Sequence, residues 1–468
     1  METIPYKGDT KKRFSLNYGG RMMKKFSVIM LAAVLSFGAG GMSACGGGGD
    51  DGGDTDTVKV VKVWLHKSEA EPEGKTFRAI QDMFNDLKLK TDDGRTIVMS
   101  IEYKNTADAL STAISGEILS GGLPDVVAVD SPNITAYASD EILVPIGDYL
   151  EESVVSDYVD SVIEQSTYNG KLYALSGMDA PGGLYYNKEL LTSVGYTEAD
   201  FGTIENPWSW KDVEEAMLKL KEAGKSYKIK LNLGFGGDEG CMYLYSPLVY
   251  SAGGSFFGSD GKVTAALGGE KSIAGLEMLG DLFEKDAANE WVYNGTNVNA
   301  FPGGEIAFEI YGPWLVSTIE KDYKSFVDKY DIMPFPVYES EAGEKGTVAS
   351  PCGSWGFGVT RDSRDYKAAA QVVAYLTGPE ASELLYDSIG TFPTHKSVLE
   401  NGDDFDSGAL KSLSDILVQT GAPRPMMVNY PKLSSAYSDI IEYMETKAGA
   451  SDYNLAEQVR SKAQTVDR

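Results

Sequence analysis

The sequence predicts an α/β protein whose sheet is mostly parallel, and three observations predict it. Strand and helix patterns alternate from residue 58 to residue 129, the arrangement that packs helices on a parallel sheet. A second set of strands and helices begins after an Asn-Gly turn at Asn169-Gly170. The chain, at 468 residues, is too long for one ordinary domain and comfortable for two or three.

The first 57 residues are not expected to join the fold. Lys24-Lys25 precedes the apolar run Phe26 to Phe37, which leads to small residues and then Met42-Ser43-Ala44-Cys45. That order describes a secretory signal over residues 1–44, and its apolar run of 12 residues is too short to span a bilayer. Residues 1–21 read as an upstream start choice. Cys45 after Ser43-Ala44 resembles a bacterial lipobox, with Met42 in place of the usual aliphatic residue, and implies cleavage before Cys45 and a lipid on its sulfur. Residues 45–57 then form a Gly/Asp-rich solvated tether. The folded body is expected outside the cell membrane and close to it.

Loss of residues 1–44 removes seven Lys/Arg and two Asp/Glu, leaving 35 basic and 67 acidic residues and a net charge of −32. Such a surface argues against nucleic acid as a partner and suits an uncharged ligand better than an anionic one. With Cys45 assigned to lipid, Cys241 and Cys352 remain. They either pair or persist as buried thiols, and spacing alone does not choose.

In the body, VKVVKVWLH (58–66) is a strand and Thr76 to Leu89 a helix with Phe77, Ile80, Met83, Phe84 and Leu87 on one face. Ile97 to Tyr103 is strand, Ala107 to Leu119 helix, and Asp125 to Val129 strand. Ligands of such sheets sit beyond the C-terminal strand ends, which here carry His66, Lys67 and Glu69, Tyr103 with Asn105, and Asp130 with Ser131. Tyr168 to Tyr173 predicts a hairpin. Ser209 caps a helix from Trp210 to Ala223. A strand at 229–235 and helices Met242 to Ala252 and Ser272 to Phe283 follow.

The stretch GGEIAFEIYGPW (303–314) reads as a buried strand with period-two alternation, a sharp turn, and a helix start with Pro313 in its first turn. Trp314 then offers a flat apolar face beside free backbone N–H groups, suited to a sugar ring; the plainer alternative is a core tryptophan. Asp331 to Pro336 and Trp355 to Val359 are strands, Tyr366 to Leu376 and Glu380 to Ser388 helices, and the C-terminal helices fall near 409–419, 433–447 and 455–465.

Six segments in order, GGLPDVVAVD (121–130), YNGKLYALSGMDAPGGLYYNKELL (168–191), PWSWKDVEEA (207–216), GGEIAFEIYGPW, DIMPFP (331–336) and SWGFGVTRDSRDYKAAAQVVAYLTGPEASELLY (354–386), resemble the family 1 extracellular solute-binding proteins of ABC importers, the group of the maltose-binding proteins. The resemblance implies two α/β lobes with a ligand cleft between them, joined by hinge segments, the type II periplasmic-binding-protein-like fold. Carried over, lobe one spans 58–177 plus 356–400 and lobe two 180–345 plus 401–468. It implies a ligand site at His66, Glu69, Asp130, Ser131, Asp179, Tyr243, Trp314, Trp355 and Tyr437. Asp130 has a simpler alternative as a helix cap, and Tyr243 as a core aromatic. Carboxylates accept hydroxyl protons and aromatics cover C–H faces in such a cleft. The loop His66-Lys67-Ser68-Glu69 departs from the short acidic or basic loops of close sugar binders.

Only two histidines, His66 and His395, are present, and neither HExxH nor GxSxG occurs, so His-based metal or triad chemistry has thin support. Gly224-Lys225-Ser226 has Lys219 where a P-loop needs Gly. A binder is expected over an enzyme: a lipid-tethered receptor, monomeric and without cofactor or metal, handing a neutral carbohydrate to an ABC permease. The alternatives are a polysaccharide-degrading surface lipoprotein acting through two carboxylates, a sensor subunit, and a binder of a non-sugar polar solute.

Overall fold

Strands Thr96–Tyr103, Val58–Leu65 and Val126–Asp130 lie side by side in parallel, and Trp355–Val359 then runs antiparallel beside Val126–Asp130, followed by Ala174–Leu175. The computed structural model describes residues 57–468 apart from 235–237 and 287–289. The expected signal, the expected lipidation residue Cys45 and all of the expected tether except Thr57 lie outside the described residues. In the central strand Val126, Val127, Ala128 and Val129 are all buried, as expected where helices cover both faces. Helix Pro72–Leu87 begins with Pro72 in its first turn, where the missing N–H is harmless, and buries Phe77, Ile80 and Phe84.

A second, four-stranded sheet has the order Tyr330–Met333, Gly183–Asn187, Phe308–Tyr311, Ile229–Lys230. Two of its three pairings are antiparallel, so the expected parallel sheet holds for the first three strands of the first sheet and not here. Every residue of Gly183–Asn187 is buried, which suits a strand with neighbours on both sides. The strand predicted at 229–235 shrinks to Ile229–Lys230, because Asn232 takes a left-handed backbone (φ 54°) that ends the pairing. Helix Asp238–Ser251 starts four residues before the apolar pattern predicts. The hairpin forms as predicted, with Asn169 and Gly170 both at positive φ (49° and 71°), the backbone a tight twisted turn requires. Ser209 accepts from Asp212 N–H while the Asp212 carboxylate accepts from Ser209 N–H, a complete capping box for Trp210–Glu222.

The chain passes between the sheets along three paths. Residues 176–182 lead from Ala174–Leu175 to Gly183–Asn187, residues 350–354 lead back to Trp355–Val359, and Gly421–Pro423 pairs in parallel with Ser350–Cys352. Asp179 and Phe392 exchange backbone hydrogen bonds of 2.8 Å, and Gly182 N–H donates to Pro351 O at 2.8 Å. Among the described residues no helix is long and apolar enough to cross a membrane.

Candidate functional site

His66 follows directly on the first strand, and its imidazole lies flat on Trp355 with ring centroids 3.7 Å apart and planes 7° from parallel. His66 is 3 % exposed, its Nε2 lies 3.5 Å from Glu73, and its Nδ1 is buried without a hydrogen-bond partner. Burial, reinforced by Lys67, pushes its pKa down to about 3, so the ring is neutral in the folded protein. One face of Trp355 is thus covered by a neutral ring, and Trp355 remains partly exposed.

Trp355 pairs directly with Asp130 across the sheet. Asp130 precedes a short 3-10 turn but makes no capping hydrogen bond, which disposes of the cap alternative. Its carboxylate instead takes Nη2 of Arg424 at 2.6 Å and Nη1 at 3.3 Å. Ser131 Oγ donates to Gln165 Oε1 at 2.6 Å and accepts from Arg424 at 3.2 Å. The same guanidinium reaches Glu239 Oε1, and Tyr430 and Ser434 donate to that carboxylate. Arg424, Glu239 and Tyr430 were missed by sequence reasoning. The one signal available was a lone arginine, Arg424, in the Pro-bounded stretch GAPRP of an acidic chain.

Across the crossing paths, Trp314 opens helix Trp314–Asp322 as predicted and is partly exposed. Its ring meets Tyr311 edge-on at 5.2 Å and lies tilted 6.2 Å from Tyr243. Tyr243 is 7 % exposed and donates to Ala180 O at 2.6 Å, so it backs Trp314 and fastens the crossing segment.

Asp179 is fully buried. Its Oδ1 accepts the Ala180 and Gly353 amides at 2.7 Å each, and Oδ2 faces Ser161 at 3.4 Å. Burial pushes this carboxyl up, and the two amides pull it back. The structure therefore makes Asp179 a clasp between two crossing segments, with its oxygens already engaged, in place of the expected ligand contact. Glu69 also departs from expectation: it is largely exposed and faces Arg78 at 3.8 Å. Tyr437 is a further correction. It is fully buried, donates to Tyr245 O at 2.7 Å and packs edge-on against Phe256, leaving no face for a ligand, because the Tyr430–Lys447 helix turns this position toward the apolar core. Cys241 and Cys352 stay as buried thiols and are not bonded to one another.

His66, Asp130, Ser131 and Trp355 thus gather at one end of the three inner strands of the first sheet, Tyr243 and Trp314 pack together, and Asp179 and Ala180 lie on the crossing path that Tyr243 fastens. A recess of about 570 Å³ is lined by Tyr158, Glu164, Lys396 and Met426, none of them a residue the sequence singled out. Among the described residues no group of His, Cys, Asp and Glu is arranged to hold a metal ion.

Residues 70–383 match the family described as bacterial extracellular solute-binding protein. The maltodextrin-binding protein MdxE of Bacillus subtilis is 22 % identical over 89 % of this chain and 91 % of its own length. A probable ABC transporter-binding protein of Deinococcus radiodurans is 26 % identical over 63 % of this chain and 69 % of its own. Among solved structures, the cyclic alpha-maltosyl-1,6-maltose binding protein of Arthrobacter globiformis superposes with a TM-score of 0.69 at 19 % identity, covering 87 % of this chain and 99 % of that one. MalE of Xanthomonas citri reaches 0.70 at 18 % identity, covering 87 % and 96 %. These structural likenesses give the two-lobed α/β sugar-binding-protein architecture.

Proposed function

This chain belongs to the bacterial extracellular solute-binding protein family, and from that premise we propose that it captures a neutral oligosaccharide by hinge closure and delivers it to the permease of an ABC importer. The observation that carries this reading is the presence of two partly exposed tryptophans, Trp355 where a crossing path enters the first sheet and Trp314 at the start of the helix that follows a strand of the second. Asp130, paired with Trp355, and Glu239, on the helix that carries Tyr243, keep 20 % and 33 % of their side chains exposed. Flat apolar faces flanking carboxylates with spare lone pairs suit a ligand that is all hydroxyl rim and C–H face. A net charge of −27 for the whole chain favours an uncharged ligand over an anionic one. Relatives named for maltodextrin and for galactooligosaccharide point to the same class.

Lobes at 58–177 with 356–400 and at 180–345 with 401–468 move about the three crossing paths in this reading. Cys45 carries the lipid that keeps a monomeric receptor at the outer face of the membrane, and the protein binds its ligand without turning it over. Isothermal titration with maltodextrins and galacto-oligosaccharides tests the proposal. Saturable binding is expected; absence of heat for every neutral sugar, with binding of an acidic solute, contradicts it.

A further inference from the structure

We infer that Arg424 is the closure latch of the cleft, a positioning residue whose guanidinium ties the end of the central strand of the five-stranded sheet to a helix of the other side. The inference deepens the receptor reading and rests on its hinge closure. Arg424 follows directly on Gly421–Pro423, the strand paired with Ser350–Cys352 on the crossing path, so its backbone stands near the axis and not out on either sheet. From there one guanidinium serves both sides. Asp130 ends a strand of the first sheet and Ser131 follows it. Glu239 belongs to helix Asp238–Ser251, and the hydroxyls that brace it, Tyr430 and Ser434, to helix Tyr430–Lys447. Both helices share a core with Leu184, Phe308, Ile310 and Met333 of the second sheet.

Two carboxylates drawn together across a closing cleft repel one another, and a cation between them reverses the sign. Arginine suits the task because its planar fork satisfies two acceptors at once. The side chain is only 6 % exposed, so the attraction acts in a weakly screened environment. Burial works against its charge, but Asp130 and Glu239 outweigh that and keep the guanidinium protonated. Gly353 is part of the arrangement: at φ +150° it lies against Arg424, and a Cβ there would stand 3.0 Å from Nε. Nε itself has no hydrogen-bond partner, so the group is held entirely through its two terminal nitrogens. Withdrawal of either carboxylate leaves a buried cation half satisfied, and the full set of contacts exists only when both sides are in.

The test uses the full chain with Cys45→Ser and spin labels at Leu119→Cys and Val298→Cys, positions 95 % and 71 % exposed, one on each side. Native Cys241 and Cys352 are buried and escape labelling. Arg424→Met is expected to lengthen and broaden the pulsed-EPR distance without ligand. It is also expected to speed maltotriose release roughly 30-fold, the equivalent of about 2 kcal/mol, while association changes little. Glu239→Gln, which leaves the Asp130 side intact, should move both readouts the same way by less, and the double variant should add little to Arg424→Met. A folded Arg424→Met protein with the wild-type distance distribution overturns the latch; if that variant does not fold, an unchanged distance in Glu239→Gln does so. Failure of the wild type to bind any sugar would sink the receptor reading alone, because the ligand-free distances still decide the latch.

Discussion

His66 shows how one side chain couples the site to pH. Its folded pKa of about 3 lies below the unfolded value of about 6.5. The unfolded chain therefore binds the extra proton first, and stability is lost as pH falls from about 6.5 toward 3, with a slope of at most about 1.4 kcal/mol per pH unit. Asp157, held at about 2 by its hydrogen bond from His395, adds a loss in the same direction, beginning below about 4. Urea unfolding at several pH values is expected to show the decline, and His66→Phe, which keeps a flat ring against Trp355, should remove its upper part. Trp314→Ala addresses the opposite wall. The indole packs against Tyr243 and Tyr311 and in the proposed reading turns its remaining face to the ligand, so titration calorimetry should show at least about a tenfold loss of sugar affinity, about 1.4 kcal/mol. An unchanged affinity would return Trp314 to the status of a core tryptophan.

At the scale of the element, the crossing segments depend on Asp179. Asp179→Ala leaves two buried amides, Ala180 and Gly353, without an acceptor, and chemical denaturation should register about 2–5 kcal/mol of lost stability. Asp179→Asn retains an oxygen for both and should lose much less. Helix Trp210–Glu222 offers a local counterpart: Ser209→Ala breaks its capping box and should cost about 1 kcal/mol. These two sites also mark what the sequence reveals. The cap was legible because Ser209 and Asp212 act within one turn, and the Asn169-Gly170 hairpin because its backbone demand is local. Asp179 was legible as special but not as a clasp, since its partner Gly353 lies 174 residues away. Arg424 escaped for the same reason: it meets Asp130 and Glu239 across separations of 294 and 185 residues. Tyr437 misled because an aromatic on an amphipathic helix does not declare which face turns inward.

At the scale of the molecule, a sheet of five strands and a sheet of four are joined by three crossing paths and bridged by a buried cation, and in the proposed reading ligand binding shifts the population toward a closed form. The alternation of strand and helix made the first sheet legible to its third strand. The antiparallel additions were not, because Trp355–Val359 reaches Val126–Asp130 from more than 220 residues along the chain. The central claim, a carbohydrate receptor that binds without turnover, is tested most directly by thermal melting of the protein against a panel of mono- and oligosaccharides, with reducing ends assayed in the same wells. At about 100-fold over Kd a true ligand adds roughly 2.7 kcal/mol to apparent stability, and the account predicts such a shift for a neutral oligosaccharide with no new reducing ends. New reducing ends, or a panel without any shift, would contradict it.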